Sequence, residues 1–289
     1  MTFFAASRLI KGEDAEYHLS VPVRIFYPTL EPASPQPFGP FTLDVCADGA
    51  PAEGRFPLAV ISHGSGGAPL LYRGLALYLA QHGYITALPE HAGNNREDNH
   101  WSHHMENYIC RPRHISLTID SVLADTSLQA HVQTEQVAAI GHSMGAYAAL
   151  AAAGGIPWTK EGQRVPVTPD DRIKVLVLMA PATGWFDTET SLERVNIPIL
   201  LYAAEMDKIT PPEYVGIIQR RIKDPGLINY RLVKNGGHFS FLTPFPAEMR
   251  RPQFMPSSDP PGFDREAFHE ILNREVLQFL DEKLKDQRG

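Results

Sequence analysis

Cysteine is scarce in this chain of 289 residues: Cys46 and Cys110 are the only two, and no C-x-x-C pair exists. That excludes a disulfide framework and a thiolate zinc site and leaves two unpaired thiols. Charge of one sign is not concentrated either. The 26 Lys+Arg against 33 Asp+Glu leave a net −7 with no basic run, so nucleic acid and anionic lipid are not expected partners. No stretch approaches the roughly 18 apolar residues of a membrane span. Met1 to Ile10 is mildly apolar but runs at once into Lys11, Glu13, Asp14 and Glu16, with no signal-peptide core or cleavage site. A soluble, cytoplasmic protein is the expectation. The phosphate-cradling patterns G-x-x-x-x-G-K-[ST] and G-x-G-x-x-G are missing, so nucleotide binding is not expected.

What is present is globular: 43% hydrophobic and 20% charged residues can fill a core. Short β-branched runs alternate with longer amphipathic segments, the pattern of a mostly parallel sheet covered by helices. Strands are expected at Val21 to Tyr27, Leu58 to Ser62, Tyr84 to Leu88, Gln136 to Ile140, Ile173 to Met179, Ile197 to Ala203 and Ile228 to Val233. Helices are expected over Leu70 to His82, Ile115 to Leu128, the Ala-rich run after Ser143, Pro211 to Ile222 and Asp264 to Leu284. One domain over 1–289 accommodates this order, because α/β domains often run to about 250 residues. Residues 28–57 hold seven prolines and 244–261 hold six; proline removes a ladder donor, so 28–57 and 244–262 read as surface loops. Residues 91–114, rich in Asn and His, read as a candidate lid. The H-x-x-H-H cluster of His100, His103 and His104 lacks neighbouring Cys and reads as part of that polar segment, with no metal expected.

The chemistry-bearing motif is Gly141-His142-Ser143-Met144-Gly145, a G-x-S-x-G between the apolar run QVAAI and the helix former AYAALAAA. A sharp strand-to-helix turn there exposes the serine hydroxyl and aims helix N–H groups at an adjacent anion. Serine is a weak nucleophile without a base and an orienting acid. Beyond Ser143 only His238 and His269 occur. His269 lies in a helical pattern and reads as a partly exposed surface histidine. His238 sits in the Gly-rich loop Asn235-Gly236-Gly237-His238-Phe239, after the last strand, and is the candidate base. Asp207, following the run IPILLYA and preceding Lys208-Ile209-Thr210-Pro211-Pro212, is the candidate acid; Glu205 and Asp187 are its rivals. Oxyanion donors are expected from the Met144 N–H and from His63-Gly64-Ser65-Gly66-Gly67, with Ser65 assigned and Gly66 its neighbour. Gly66, Trp185 and Phe239 are candidate substrate contacts, and Trp101, Phe186 and Phe241 lie close to the same loops in sequence.

The runs VPVRIFYP, ISHGSGG, GHSMGA, AAEMDKITPP and GGHFSF resemble the α/β-hydrolase superfamily, and more narrowly the bacterial hydrolases grouped with platelet-activating-factor acetylhydrolases and dienelactone hydrolases. The resemblance implies an α/β-hydrolase fold with a mostly parallel eight-stranded sheet, and ester hydrolysis through an acyl-serine without cofactor. Two departures stand out. Dienelactone hydrolases use cysteine where this chain has Ser143, and the animal acetylhydrolases carry their acid where this chain reads Met179-Ala180-Pro181-Ala182. The expected function is therefore a serine carboxylesterase acting on small to medium acyl esters. An amidase or peptidase, a thioesterase or an acyltransferase would use the same triad, and a non-catalytic ligand-binding module is the rival of another class.

Overall fold

The computed structural model describes residues 2–285, so Met1 and residues 286–289 of the expected domain lie outside the described residues. The N-terminal part is antiparallel. β1 (Phe4–Asp14) pairs along its length with β2 (Leu19–Thr29), from Phe4 opposite Thr29 to Asp14 opposite Leu19. β3 (Ser34–Phe38) and β4 (Phe41–Ala47) form a second hairpin, and β4 joins β1 in parallel through Ala6–Cys46 and Ser7–Ala47. The stretch 28–57 is thus partly strand, which corrects its reading as a loop. Pro35 and Pro37 fall in β3, which closes one end of the sheet, and an edge strand tolerates a missing N–H that a central strand would not. In β4, Phe41, Leu43 and Val45 are buried and alternate with exposed Thr42 and Asp44, as on a sheet covered on one face.

The remaining strands are β5 (Phe56–Ser62), β6 (Ile85–Pro89), β7 (Val132–His142), β8 (Ile173–Met179), β9 (Ile199–Ala204) and β10 (Ile228–Val233), and they are mutually parallel. The order across the sheet is β10-β9-β8-β7-β5-β6-β2-β1-β4-β3. It has ten strands where the resemblance implied eight, the added pair being the β3–β4 hairpin. Every residue of β5 is buried. Leu58 and Val60 enter one core and Ala59 and Ile61 the other, because helices cover both faces and each strand must be apolar throughout.

Among the described residues five α-helices supply that cover: α1 (Arg73–Gln81), α2 (Met105–Ala124), α3 (Met144–Ala152), α4 (Val215–Arg221) and α5 (Arg265–Leu280). Leu75 and Leu79 of α1 pack with Leu272, Val276 and Phe279 of α5 on one face. Ile115 and Ile119 of α2, Leu150 of α3 and Ile218 of α4 pack on the other. Each such buried side chain contributes about 1.5–3 kcal/mol relative to exposure. α2 begins well before the expected Ile115 and carries Pro112 inside it, so only the first part of 91–114 is irregular. No described helix is long and apolar enough to cross a membrane.

From β5 the chain builds β6 on one side and β7 on the other. The carboxyl ends of β5 and β7 therefore flank a topological switch point, the crevice where open α/β sheets hold ligands. The loop from His63 follows β5 and Ser143 follows β7.

Candidate active site

Ser143 stands between the last residue of β7 and the first of α3 at φ 54°, ψ −119°. A non-glycine residue is strained there by about 1–3 kcal/mol. Neighbouring backbone holds it: Ser143 N donates to Met179 O (3.0 Å), and Ser143 O accepts from Ala146 N (3.0 Å) and Ala182 N (3.2 Å). The flanking glycines are required by close approach. A Cβ on Gly145 would overlap the Ser62 carbonyl, and one on Gly141 would overlap the backbone of Gly145. β5, β7 and α3 thus meet backbone to backbone, and the serine is lifted off the sheet edge.

Asp207 lies in the turn after β9 and His238 in the loop after β10. Two backbone bonds tie the turns together, Glu205 N to Val233 O (3.0 Å) and Met206 N to Gly236 O (2.8 Å). His238 Nδ1 donates to Asp207 Oδ2 at 2.7 Å, with both side chains almost wholly buried. Asp207 Oδ1 accepts from Ile209 N (2.7 Å) and Thr210 N (2.9 Å). Burial pushes the Asp207 carboxyl up, but the hydrogen bond and charge of His238 and the two backbone donors outweigh it, leaving its pKa below the ordinary value. The carboxylate is ionised at neutral pH and fixes an N–H of His238 on Nδ1, which turns Nε2 away from the acid.

Ser143 and His238 line one cavity of about 310 Å³. Its walls include Ser65, Gly66, Leu71, Ile209, Phe239, Leu242, Phe254 and Pro256, with Arg96 as the charged residue. Arg96 comes from the 91–114 stretch, where its N–H bonds Gly67 O (2.8 Å); Phe254 and Pro256 come from 244–262. Both irregular segments therefore contribute walls. A larger cavity of about 630 Å³ lies elsewhere, around Glu16, Arg113, Asp170 and Arg172. Its arginines are already paired, Arg113 with Asp14 and Arg172 with Asp170 at 2.6 Å each, and none of Ser143, Asp207 or His238 reaches it. The smaller cavity is where the reactive groups converge.

The Gly64–Gly67 turn closes through Gly67 N to Gly64 O (3.1 Å), and Ser65 lies at its tip on the cavity. Met144 opens α3, where the first N–H groups have no intrahelical acceptor. Among the described residues no carbonyl or side chain takes the N–H of Ser65 or of Met144. Both N–H groups are thus left without a protein acceptor, Ser65 on the cavity wall and Met144 directly after Ser143.

Other candidates lie elsewhere. Glu205 bonds Lys234 (3.0 Å) and Asn235 N (2.9 Å), and Asp187 bonds Arg221 (3.1 Å); neither contacts His238. His269 is buried, not surface-exposed as its helical pattern suggested, because α5 turns it toward the base loop, where Nε2 donates to Ser240 O (3.0 Å). Burial pushes its pKa down to about 4. Phe239 and Gly66 line the cavity, and Phe239 meets the His238 ring edge-on with centroids 5.1 Å apart. Trp185 does not line it. Its ring packs instead on Tyr108 of α2 at 4.0 Å and edge-on to Tyr147 of α3 at 6.1 Å. Trp101 packs over Gly93, and Phe186 is wholly buried against Tyr147.

Several polar residues of the site were not singled out from the sequence. Thr210 Oγ1 lies 2.8 Å from Asp207 Oδ2, 2.9 Å from Ala180 O and 3.1 Å from His238 Nδ1, so it braces the acid; an Asp followed by Thr three residues on is the signature of such a turn. The Met179–Ala182 stretch, lacking an acid, serves instead as the backbone anchor for Ser143 and Thr210. A second chain of bonds runs beneath the cavity. Gly64 N donates to Tyr72 Oη (3.2 Å), Tyr72 Oη meets His142 Nδ1 (2.9 Å), and His142 Nε2 meets His238 O (2.9 Å). A carbonyl only accepts, so His142 carries its proton on Nε2 and accepts from Tyr72 on Nδ1. Burial, aided by the charge of His238, pushes His142 down to about 3 and keeps it neutral. The glycine loop and the base loop are thereby fixed to each other.

Over residues 59–269, from β5 into α5, the sequence matches the family described as "Alpha/beta hydrolase family". No curated protein matches this sequence. Among solved structures, a ferulic acid esterase from Streptomyces cinnamoneus superposes with a TM-score of 0.72, covering 100% of this chain and 92% of its own at 18% identity, and so shares the fold. The chain belongs to the alpha/beta hydrolase family.

Proposed function

We propose that this member of the alpha/beta hydrolase family is a cofactor-free serine esterase that cleaves carboxylic esters of small to medium acyl groups through an acyl-serine. The observation that carries the reading is the 2.7 Å bond from His238 to ionised Asp207, with His238 and the strained Ser143 opening on the same cavity. His238 Nε2 removes the Ser143 proton as Oγ attacks the ester carbonyl. The N–H groups of Ser65 and Met144 receive the oxyanion. His238 then protonates the departing alcohol, and the same histidine activates the water that releases the acid. Asp207 stays ionised throughout and stabilises the imidazolium.

The cavity volume and the walls of Leu71, Ile209, Phe239, Leu242 and Phe254 suit a short acyl chain or a single aromatic ring. The similar structure's designation as a ferulic acid esterase makes an aromatic acyl ester a sensible member of the substrate panel. Strands from Phe4 to Val233 join one sheet, and helix α5 packs onto it, which supports reading 1–289 as one domain built around this site. The test is a series of p-nitrophenyl esters from acetate to octanoate, with methyl ferulate, an anilide and a thioester. Turnover is expected on the shorter and aromatic esters, with kcat/KM falling by about 10⁴ or more in Ser143→Ala. A wild-type protein inert across the series, or a Ser143→Ala variant retaining full activity, would overturn it.

A further inference from the structure

Behind the Ser65 loop, on the side away from the cavity, one cation is buried without an anion. Arg111 of α2 is 1% exposed. Its Nη1 donates to Asn94 Oδ1 at 3.1 Å and its Nη2 to the carbonyl of His63, the residue from which the loop departs. Nε has no partner, and among the described residues no carboxylate pairs with this guanidinium. Burial and the arginine's own charge push His63, His91 and His114 down, so the rings beside it are neutral. Asn94 carries the contact forward, because its Nδ2 donates to Ser65 Oγ at 3.1 Å. Arg111 is therefore joined to the residue that enters the turn and, through Asn94, to its tip at Ser65, and it does not itself line the cavity.

A neutral amide could make the same two donations. A fixed charge without a counter-ion in a medium of low dielectric is costly to bury, and such a charge acts over a longer range than any hydrogen bond. Its sign is the one that favours negative charge arising at Ser65 and Met144. We propose that Arg111 is a positioning residue for ester hydrolysis: its uncompensated charge fixes the His63–Ser65 turn and lowers the energy of the oxyanion relative to the neutral bound ester. This rests on the reading of Ser143 as nucleophile.

The proposal separates charge from geometry. Arg111→Gln keeps a donor and removes the charge; Arg111→Lys keeps the charge. Asn94→Asp keeps the acceptor for Nη1 and supplies the missing counter-ion; it gives up the Nδ2 donations to Asn99 Oδ1 and Ser65 Oγ, the latter replaced by the Ser65 hydroxyl donating to the new carboxylate, so it is read together with Arg111→Gln, which leaves both donations in place. On p-nitrophenyl butyrate, Arg111→Gln and Asn94→Asp are expected to lose roughly tenfold in kcat with KM within about twofold. Affinity for phenylboronic acid, whose serine adduct is tetrahedral and anionic, should fall by the same factor, and Arg111→Lys should recover to within about threefold of wild type. Wild-type kcat and boronate affinity in Asn94→Asp would overturn the assignment, as would Arg111→Lys being as impaired as Arg111→Gln, since either assigns the effect to hydrogen bonding alone. Ser143→Ala run alongside separates the two levels. Turnover surviving in Ser143→Ala sinks the reading of the site, whereas its loss together with a full-rate Asn94→Asp sinks only the role of Arg111.

Discussion

His238 and the histidines behind the glycine loop are the same side chain in opposite surroundings. His238 has a carboxylate on Nδ1 at 2.7 Å and faces a cavity. His91, by contrast, bonds Ser62 Oγ (2.7 Å) and His114 Nδ1 (3.2 Å), and His63 bonds its own loop through Gly64 O (2.8 Å). The hydrogen-bond partners there are neutral, and after burial the leading charge is the cation of Arg111, opposed at His114 by Asp14. In the proposed mechanism Asp207 offsets the charge of the imidazolium formed at His238; in the rear cluster such a cation would meet burial and the like charge of Arg111. The proposed ester hydrolysis depends on that difference, and removing one side of it has graded consequences.

The largest effect is expected from Asp207→Asn, which gives His238 a neutral partner like those in the rear cluster. With the wrong tautomer favoured and no charge to support the imidazolium, kcat on p-nitrophenyl butyrate should fall by about 10³ to 10⁴ with much less change in KM. A loss below tenfold would mean that the acid is not what sets the two neighbourhoods apart.

Next comes stability toward acid, which tests the neutral side. His114 and His142 are each held near pKa 3 by burial, against an ordinary 6.5. Because the folded values lie below the unfolded one, the unfolded chain binds more protons between about pH 3 and 6.5, and stability is full above that window and declines through it as pH falls. At pH 5 the two together cost about 4 kcal/mol of unfolding free energy, with His63, His91 and His269 acting in the same direction. Urea midpoints at pH 7 and pH 5 check this, and equal midpoints would contradict the neutral, buried state of these rings.

The smallest effect sharpens the comparison at the acid itself. Thr210→Val removes the hydroxyl that contacts Asp207 Oδ2, Ala180 O and His238 Nδ1, and should lower kcat roughly tenfold, with Thr210→Ser restoring it. If valine is tolerated without loss, the two backbone donors suffice to orient the carboxylate.

These contrasts also mark what could be read from the sequence. The parallel strands were legible because a strand buried on both faces is an uninterrupted apolar run, as in Leu58 to Ser62, and the elbow because its two glycines mark close approach, Gly141 to the backbone of Gly145 and Gly145 to the end of β5. The β3–β4 hairpin was hidden by Pro35 and Pro37, whose penalty depends on whether the strand is central or at the edge, a fact of tertiary position. Pro112 hid the start of α2 in the same way. Trp185 and His269 were misplaced because the direction of a side chain is set by its packing partner, Tyr108 for one and Ser240 for the other. The contacts of Arg111 with Asn94 and His63 span 17 and 48 residues, and no local pattern encodes them.

The central claim, that Ser143 is a nucleophile activated by His238, is tested most directly by fluorophosphonate labelling followed by intact-mass and peptide analysis at neutral pH. The account predicts one adduct per chain, located on Ser143, forming quickly in the wild type and at a rate lowered by orders of magnitude in His238→Gln. An adduct on another residue, or equal labelling rates with and without His238, would contradict it.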